Sequence, residues 1–479
     1  MAFTDLNFLS RFLPIVLIIY FLAPRKYRTS VLFGASLVFY AFGDLRFLPL
    51  LIILCTLNYG AAVLYFKLNE NTGLLKVNKD LGLSETNEAS GLLKNINKKR
   101  SRKFILTAIV LIDIAALLIF KILLINYKLP LPLGISFYIF KMLSFQADLY
   151  RGKIGRKPKF VVLAAYFSLF FQLPQGPIMR YRMEDFAGSR QKLSLANIED
   201  GLKILIIGLS MKVLVADKLA ILWNEASKIG YDGLSTPLAW LAAVGYSLEL
   251  YLDFWGYSLM AAGIGMMFGF RFIRNFNHPY TADSIGEFYR RWHITLTSWF
   301  RDYVYIPLGG SRNGRINTVF AILMVWLLTG FWHGGTVNFL MWGLVLGAMI
   351  AWEKYIAREW MNRFPILGHL HVIILIPITW VIFAVSDLSD LGDFLAAMIP
   401  IGGIRQGANP GDFARYFIQY LPYLGAGVLL CVPQVYRLLI KKRQGNYKIA
   451  EAIILVILLW ASLYSVNTTA ANPFMYFYF

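Results

Sequence analysis

The sequence predicts an all-α protein that crosses a membrane many times. Three observations predict it: an apolar excess too large for a soluble fold, apolar runs of membrane-crossing length along the whole chain, and basic residues gathered in short connections. Of 479 residues, 58% are hydrophobic and 15% charged, whereas soluble domains run at roughly 45–50% apolar and about 25% charged. Phe104–Leu124, Val337–Trp352, Val372–Val385 and Ala452–Ser465 are examples of the runs. Crossing takes about 20 mostly apolar residues, and by that length roughly ten to twelve spans or re-entrant segments are expected. Phe8–Leu22 has neither a positively charged leader nor a small-residue cleavage site, so it reads as a retained first span.

The net charge of +20 raises the question of nucleic acid. The basic residues, however, sit in loops between apolar runs, as topology signals do. No nucleic-acid partner is expected; the partner they imply is the bilayer. Clusters at Arg25/Lys26/Arg28, Lys94–Lys103, Arg151–Lys159 and Lys441–Arg443 are expected on the cytoplasmic side. That places the N-terminus outside, and the last run, Ala452–Ser465, then leaves residues 467–479 as an aromatic tail on the outer face. Residues 67–103 form the one long polar insert, rich in Asn, Lys and Glu without apolar periodicity, and are expected to be a flexible cytoplasmic loop. No soluble domain or internal repeat interrupts the chain. Its chemistry is therefore expected within a single membrane-embedded domain over residues 1–479.

Residues 284–303 differ from the spans around them. Ile285, Phe288, Tyr289, Trp292, Leu296, Trp299 and Tyr303 share one stripe at 100° per residue, with Glu287, Arg290, Arg291, Thr297, Ser298 and Arg301 opposite. The pattern predicts one amphipathic helix lying in the membrane interface, aromatics in the acyl boundary and arginines among the headgroups. His293 falls at the border of the two faces.

Two of the five histidines stand out. His333 ends an apolar run within Leu328–Gly335 (Leu-Thr-Gly-Phe-Trp-His-Gly-Gly). Glycines there let the backbone turn or approach a ligand at membrane depth. An ionisable group in such a place is a functional candidate, and a hydrogen-bonded packing histidine is the alternative. His293, beside arginines, is the second candidate, while His278, His369 and His371 lie near loops. Among the acids, Asp113 reads as a helix brace. Glu249 and Asp253 share a helix face at i and i+4, and either brace the bundle or line a polar path. Cys55 and Cys431 lie in apolar runs and support neither a disulfide nor a metal site. Metal-hydrolase, P-loop and dinucleotide motifs are absent, so no metal and no bound cofactor are expected. Acyl transfer from a thioester needs none of these, only a base, a donor pocket and exclusion of water.

Taken together, several stretches resemble the membrane-bound O-acyltransferase (MBOAT) family, and within it the alginate O-acetyltransferase membrane component. They are Leu131–Tyr138, Asp148–Gly152, Gln175–Pro177, Asp253–Ser258, Asn275–Tyr280, Glu287–His293, Trp299–Gly310 and Gly330–Gly334. Their order along the chain makes the resemblance specific. It implies a ring of tilted helices with re-entrant and interfacial elements around a central funnel and tunnel. His333 matches the family's catalytic histidine and His293 its second histidine; Asp253, Glu249, Trp332 and Asn275 fall in or beside the motifs, as structural or tunnel residues. Two positions depart from the family's Asp-Phe-Ser-Gly-Tyr-Ser-Asp: Trp255 and Leu259. Leu259 is similar to the teichoic acid D-alanylation branch, whereas Pro307–Arg312 looks like the alginate side. Pro473–Phe479 resembles the aromatic tail of polysaccharide-acetylating members, in which a tyrosine, here Tyr476, has been proposed to carry the acyl group.

The reading that follows is an O-acetyltransferase of the bacterial plasma membrane. It would take acetyl from a cytoplasmic thioester, acetyl-CoA, toward the outer face, where an exported polysaccharide O-acetyltransferase completes transfer to a cell-surface glycan. His333 is the expected general base, His293 positions the donor, and Arg290, Arg291 and Arg301 hold its phosphates. The alternatives are a D-alanylation-type or lipid O-acyltransferase and, from another class, a transporter, which inverted repeats would have favoured.

Overall fold

The computed structural model describes residues 2–80, 88–127, 129–186, 194–399, 409, 411–441 and 445–468. Among these, regular structure is helical, with no strand. In chain order the α-helices are α1 (Leu13–Leu22), α2 (Arg28–Asp44), α3 (Leu48–Asp80), α4 (Glu88–Tyr127), α5 (Ile135–Tyr150), α6 (Phe160–Ser168), α7 (Met183–Phe186), α8 (Leu195–Ser210), α9 (Asp217–Ile229) and α10 (Thr236–Met267). They continue with α11 (Ile285–Arg291), α12 (Ile294–Phe300), α13 (Gly314–His333), α14 (Val337–Trp352), α15 (Arg358–Arg363), α16 (Pro365–Ala384), α17 (Leu388–Ala397), α18 (Asp412–Cys431), α19 (Pro433–Ile440) and α20 (Asn446–Thr468).

Six helices among the described residues are long and apolar enough to cross a membrane. A seventh crossing is counted if α18 and α19, bent by 84° at Val432, form one broken span. The protein is thus a multi-pass membrane protein, with Phe8–Leu22 as a shorter apolar helical stretch beside these spans.

The chain packs as two units: residues 14–174 with 178–192, and residues 2–13, 175–177 and 193 onward. In the first, α2 packs on α6, α3 on α4 and α6, and α4 on α5. The buried Asp113 carboxylate of α4 accepts from Asn58 Nδ2 of α3 at 2.9 Å, and Asn58 Oδ1 accepts from Gln146 Nε2 of α5 at 2.8 Å. A lone carboxylate among apolar helices is costly, and this relay binds three helices through it. The bracing role expected of Asp113 is what the geometry shows. Residues 67–103 depart from the expected loop: α3 runs on to Asp80 and α4 begins at Glu88. Leucine, lysine and glutamate favour helix, and no proline interrupts the segment, so both helices outlast their apolar parts.

In the second unit α8 lies along α10. A Cβ on Gly201 would come 2.5 Å from Gly263 O, and one on Gly208 would come 2.4 Å from Gly256 O. Such backbone contact between helices is open only to glycine, as in small-residue packing inside membranes. Gly330 of α13 and Gly343 of α14 do the same, with added Cβ atoms 2.3 Å from Phe339 O and 2.4 Å from Trp326 O. The side chain of Ser235 caps α10 by accepting from Leu238 N at 3.3 Å, and Ser284 caps α11 by accepting from Glu287 N at 3.1 Å. The latter is the Ser-x-x-Glu start of a capping box.

Candidate active site

His333 is the last residue of α13, where Gly335 at φ 74° turns the chain into α14. The backbone contact at Gly330 draws α14 against this corner and surrounds the imidazole with rings. Trp332, Trp342 and Phe383 lie at centroid distances of 4.6, 5.2 and 5.1 Å. The histidine is buried among these rings.

His293 occupies a break in the expected amphipathic helix. The chain leaves α11 at Trp292 in an extended conformation, enters left-handed space at His293 (φ 42°), and restarts as α12. This corrects the single helix expected over residues 284–303. A left-handed histidine is strained and persists only where its surroundings over-determine it. Here the Asn275–Asn277 segment does so. Ile294 N donates to Asn275 O at 2.8 Å and Asn277 N to Arg291 O at 2.9 Å. Asn275 Oδ1 then receives Thr295 N, Thr295 Oγ1 and His293 Nδ1 at 3.2, 2.9 and 3.1 Å.

That last contact sets the tautomer. An amide oxygen only accepts, so Nδ1 carries the proton and the neutral ring keeps its lone pair on Nε2. Nε2 is buried and has no hydrogen-bond partner among the described residues. Burial also pushes the imidazole down to about 3, which keeps it uncharged at physiological pH. Phe254 of α10 stands edge-on to it at 4.6 Å, and Trp332 lies at 6.5 Å. The two candidate histidines therefore flank one tryptophan.

The apolar stripe of the broken helix is buried as the periodicity predicts, but against protein. Trp292 packs on Trp380 at 5.0 Å and Tyr289 on Trp326 at 4.5 Å. The expected placement of these aromatics in the acyl boundary is replaced by a shared aromatic core with α13, α14 and α16. Arg290 and Arg291 both pair with Glu287 at 2.8 Å, and Arg301 pairs with its neighbour Asp302 at 2.7 Å. Each of these arginines is thus held by a carboxylate one to four residues away.

Of the paired acids on α10, Asp253 meets Lys212 at 2.6 Å, and Lys212 also meets Asp217 at 2.5 Å. Lys212 lies in a π-helical turn, Met211–Ala216. Glu249, one turn before Asp253, is buried beside them. Tyr476 lies outside the described residues.

Sequence reasoning missed a clamp on α11. Glu353, just beyond α14, accepts from Ile285 N at 2.6 Å and Gly286 N at 2.9 Å, and His371 Nε2 lies 3.1 Å from the same carboxylate. His369 Nδ1 donates to Ala282 O at 2.8 Å. Histidines that looked like loop residues thus fasten the start of the helix that leads into His293. Their partners lie far away along the chain, so no local signal marks them.

The family model for MBOAT, the membrane-bound O-acyltransferase family, matches residues 83–386, which include both histidines. The chain is 35% identical over 414 residues to a probable alginate O-acetylase, AlgI, of Pseudomonas syringae pv. tomato, covering 84% of this chain and 76% of that protein. It is 32% identical over 437 residues to a peptidoglycan O-acetyltransferase of Helicobacter pylori, covering 83% and 79%. With a teichoic acid D-alanyltransferase of Bacillus subtilis it shares 26% over 244 residues, 48% of this chain and 61% of that one. The weaker and shorter match to the D-alanylation side agrees with the alginate-like motifs and not with Leu259. The chain is a membrane-embedded O-acyltransferase and belongs to the membrane-bound O-acyltransferase family, in its alginate O-acetylase branch.

Proposed function

We propose that the enzyme transfers acetyl from a cytoplasmic thioester, acetyl-CoA, toward O-acetylation of a cell-surface glycan, with an exported transferase completing the reaction. The observation that carries this reading is the meeting of His293, Trp332 and His333 in a buried aromatic setting, with His293 neutral and its Nε2 lone pair uncommitted. The names of the relatives, one acting on alginate and one on peptidoglycan, support an envelope glycan as the final acceptor.

In the proposed reaction His333 takes the proton from an attacking hydroxyl as its oxygen bonds to the thioester carbonyl. The carbon–sulfur bond then breaks and the thiolate leaves with that proton, so the new ester and free thiol balance the reactants. His293 Nε2 accepts a hydrogen bond from the donor and positions it; the ring carries no charge that would compete. Tyr476 is proposed as the acceptor that passes the acetyl group outward. A phenol ionises near 10, so it needs a base to attack, and its ester yields a better leaving group than an alkoxide ester does.

The test is His333→Ala in cells producing the glycan, read as glycan-bound acetate and as the yield of folded membrane protein. Removing the base lowers the rate about 10²–10⁴-fold at normal yield, and His293→Ala is milder. Full acetylation by well-folded His333→Ala protein would overturn the mechanism.

A further inference from the structure

The first unit carries a basic pocket that acyl transfer as described does not use. It has a volume of about 440 Å³ and lies between the turn after α5 and the segment leading into α7, lined by Lys153, Arg156, Tyr181, Arg182 and Glu184 among others. Three cations and one carboxylate face it, and Arg151, Lys157, Lys159 and Arg180 flank it in the sequence.

The lining cations are not equivalent. Lys153 is paired with Asp148 at 3.0 Å. Arg156 and Arg182 are exposed and form no ion pair among the described residues. Both guanidinium forks are therefore open, unlike Arg290, Arg291 and Arg301, which sit on adjacent carboxylates. The wall behind them is rigid: Tyr181 packs edge-on against Phe145 and Tyr166 at 5.2 and 5.3 Å. Its buried hydroxyl has no hydrogen-bond partner among the described residues. Guanidinium groups match phosphate oxygens two at a time, and the volume falls within the roughly 300–1,000 Å³ of small-molecule sites.

We propose that this pocket binds a phosphate ester, with Arg156 and Arg182 as the ligating side chains. The chemistry fits two sources, the phosphates of a soluble nucleotide-type molecule and the headgroup of an anionic lipid. The experiment separates them and does not depend on acyl transfer.

Purified full-length protein in phosphatidylcholine nanodiscs is titrated with inorganic pyrophosphate, and in parallel nanodiscs containing phosphatidylglycerol are assayed for lipid retained on the protein after detergent extraction. Wild type is compared with the double variant Arg156→Gln/Arg182→Gln and with Lys157→Gln, a neighbouring exposed cation outside the lining. Losing two bidentate partners weakens binding at least about tenfold, while Lys157→Gln stays within about twofold. A loss confined to pyrophosphate identifies a soluble phosphate; a loss confined to phosphatidylglycerol identifies a lipid headgroup. The proposal is overturned if wild type binds neither, or if the double variant binds both as wild type does while melting at the same temperature.

Discussion

Glu353 is the residue whose loss the structure makes most consequential outside the histidines. Its carboxylate takes the backbone N–H groups of Ile285 and Gly286 at 2.6 and 2.9 Å, at the first turn of α11. These donors have no intrahelical acceptor. Each charge-assisted bond is worth about 1.5–3 kcal/mol, so Glu353→Ala removes roughly 3–6 kcal/mol from the anchoring of α11. Glu353→Gln keeps one acceptor and turns an NH₂ toward the other N–H, a loss of about 1.5–3 kcal/mol. Because α11 runs directly into Trp292 and His293, the helix should loosen at its start and carry the imidazole away from Trp332. The assay is thermal unfolding in detergent, followed by tryptophan fluorescence, beside acetyl transfer per folded molecule. Stability and activity should both fall in the order wild type, Gln, Ala, with activity falling further than the folded fraction explains. Wild-type melting and full transfer in Glu353→Ala would refute the clamp.

Gly330→Ala puts a Cβ 2.3 Å from Phe339 O, and a backbone oxygen cannot step aside. Overpacking of this kind costs about 1–3 kcal/mol, and α13 should part from α14 at the His333 corner, so activity is lost in protein that still inserts. For His293, held neutral with its titration pushed down to about 3, the unfolded chain takes a proton below pH 6.5 that the folded chain refuses. Stability should therefore be flat above that pH and fall as pH drops from 6.5 toward 3, by at most about 1.4 kcal/mol per pH unit. His293→Gln should remove that component, and parallel melting curves for the two proteins would count against a buried neutral ring. Tyr476→Phe should abolish glycan acetylation while Tyr478→Phe keeps it; equal activity in wild type and Tyr476→Phe would end the carrier proposal.

His333 stands out in the sequence as a candidate because glycines at the end of an apolar helix are a local signal and the histidine stands among them, whereas Trp332 enters only through the family motif around it; the structure puts the two rings 4.6 Å apart. Of the stripe Ile285, Phe288, Tyr289, Trp292, Leu296, Trp299 and Tyr303, all but the half-buried Tyr303 lie in the buried face. The stripe could not reveal the break at His293, because the apolar spacing continues through a left-handed residue as if the helix were whole. What creates the break is Asn275, eighteen positions earlier. Distance along the chain also hid the pairing of Lys212 with Asp253, the capture of Ile285 by Glu353, and the facing glycines of α8 and α10. Each of these residues looks ordinary in its own segment, since its meaning lies in a partner that only the folded chain supplies.

The glycine contacts between α8 and α10 have an electrostatic consequence. Successive side chains on an α-helix point about 100° apart, and on α10 the neighbours Asp253 and Phe254 serve different clients: the first meets Lys212, the second lies against His293. With backbone pressed to backbone at Gly256 and Gly263, helix α10 has little freedom to roll about its axis. A roll of one residue's angle would swing a carboxylate toward the imidazole and invite a proton onto it, while leaving Lys212 to Asp217 without its second carboxylate. Glycines that touch neither histidine thus act as a rotational lock, and what they hold in place is the uncharged state of a ring on another segment.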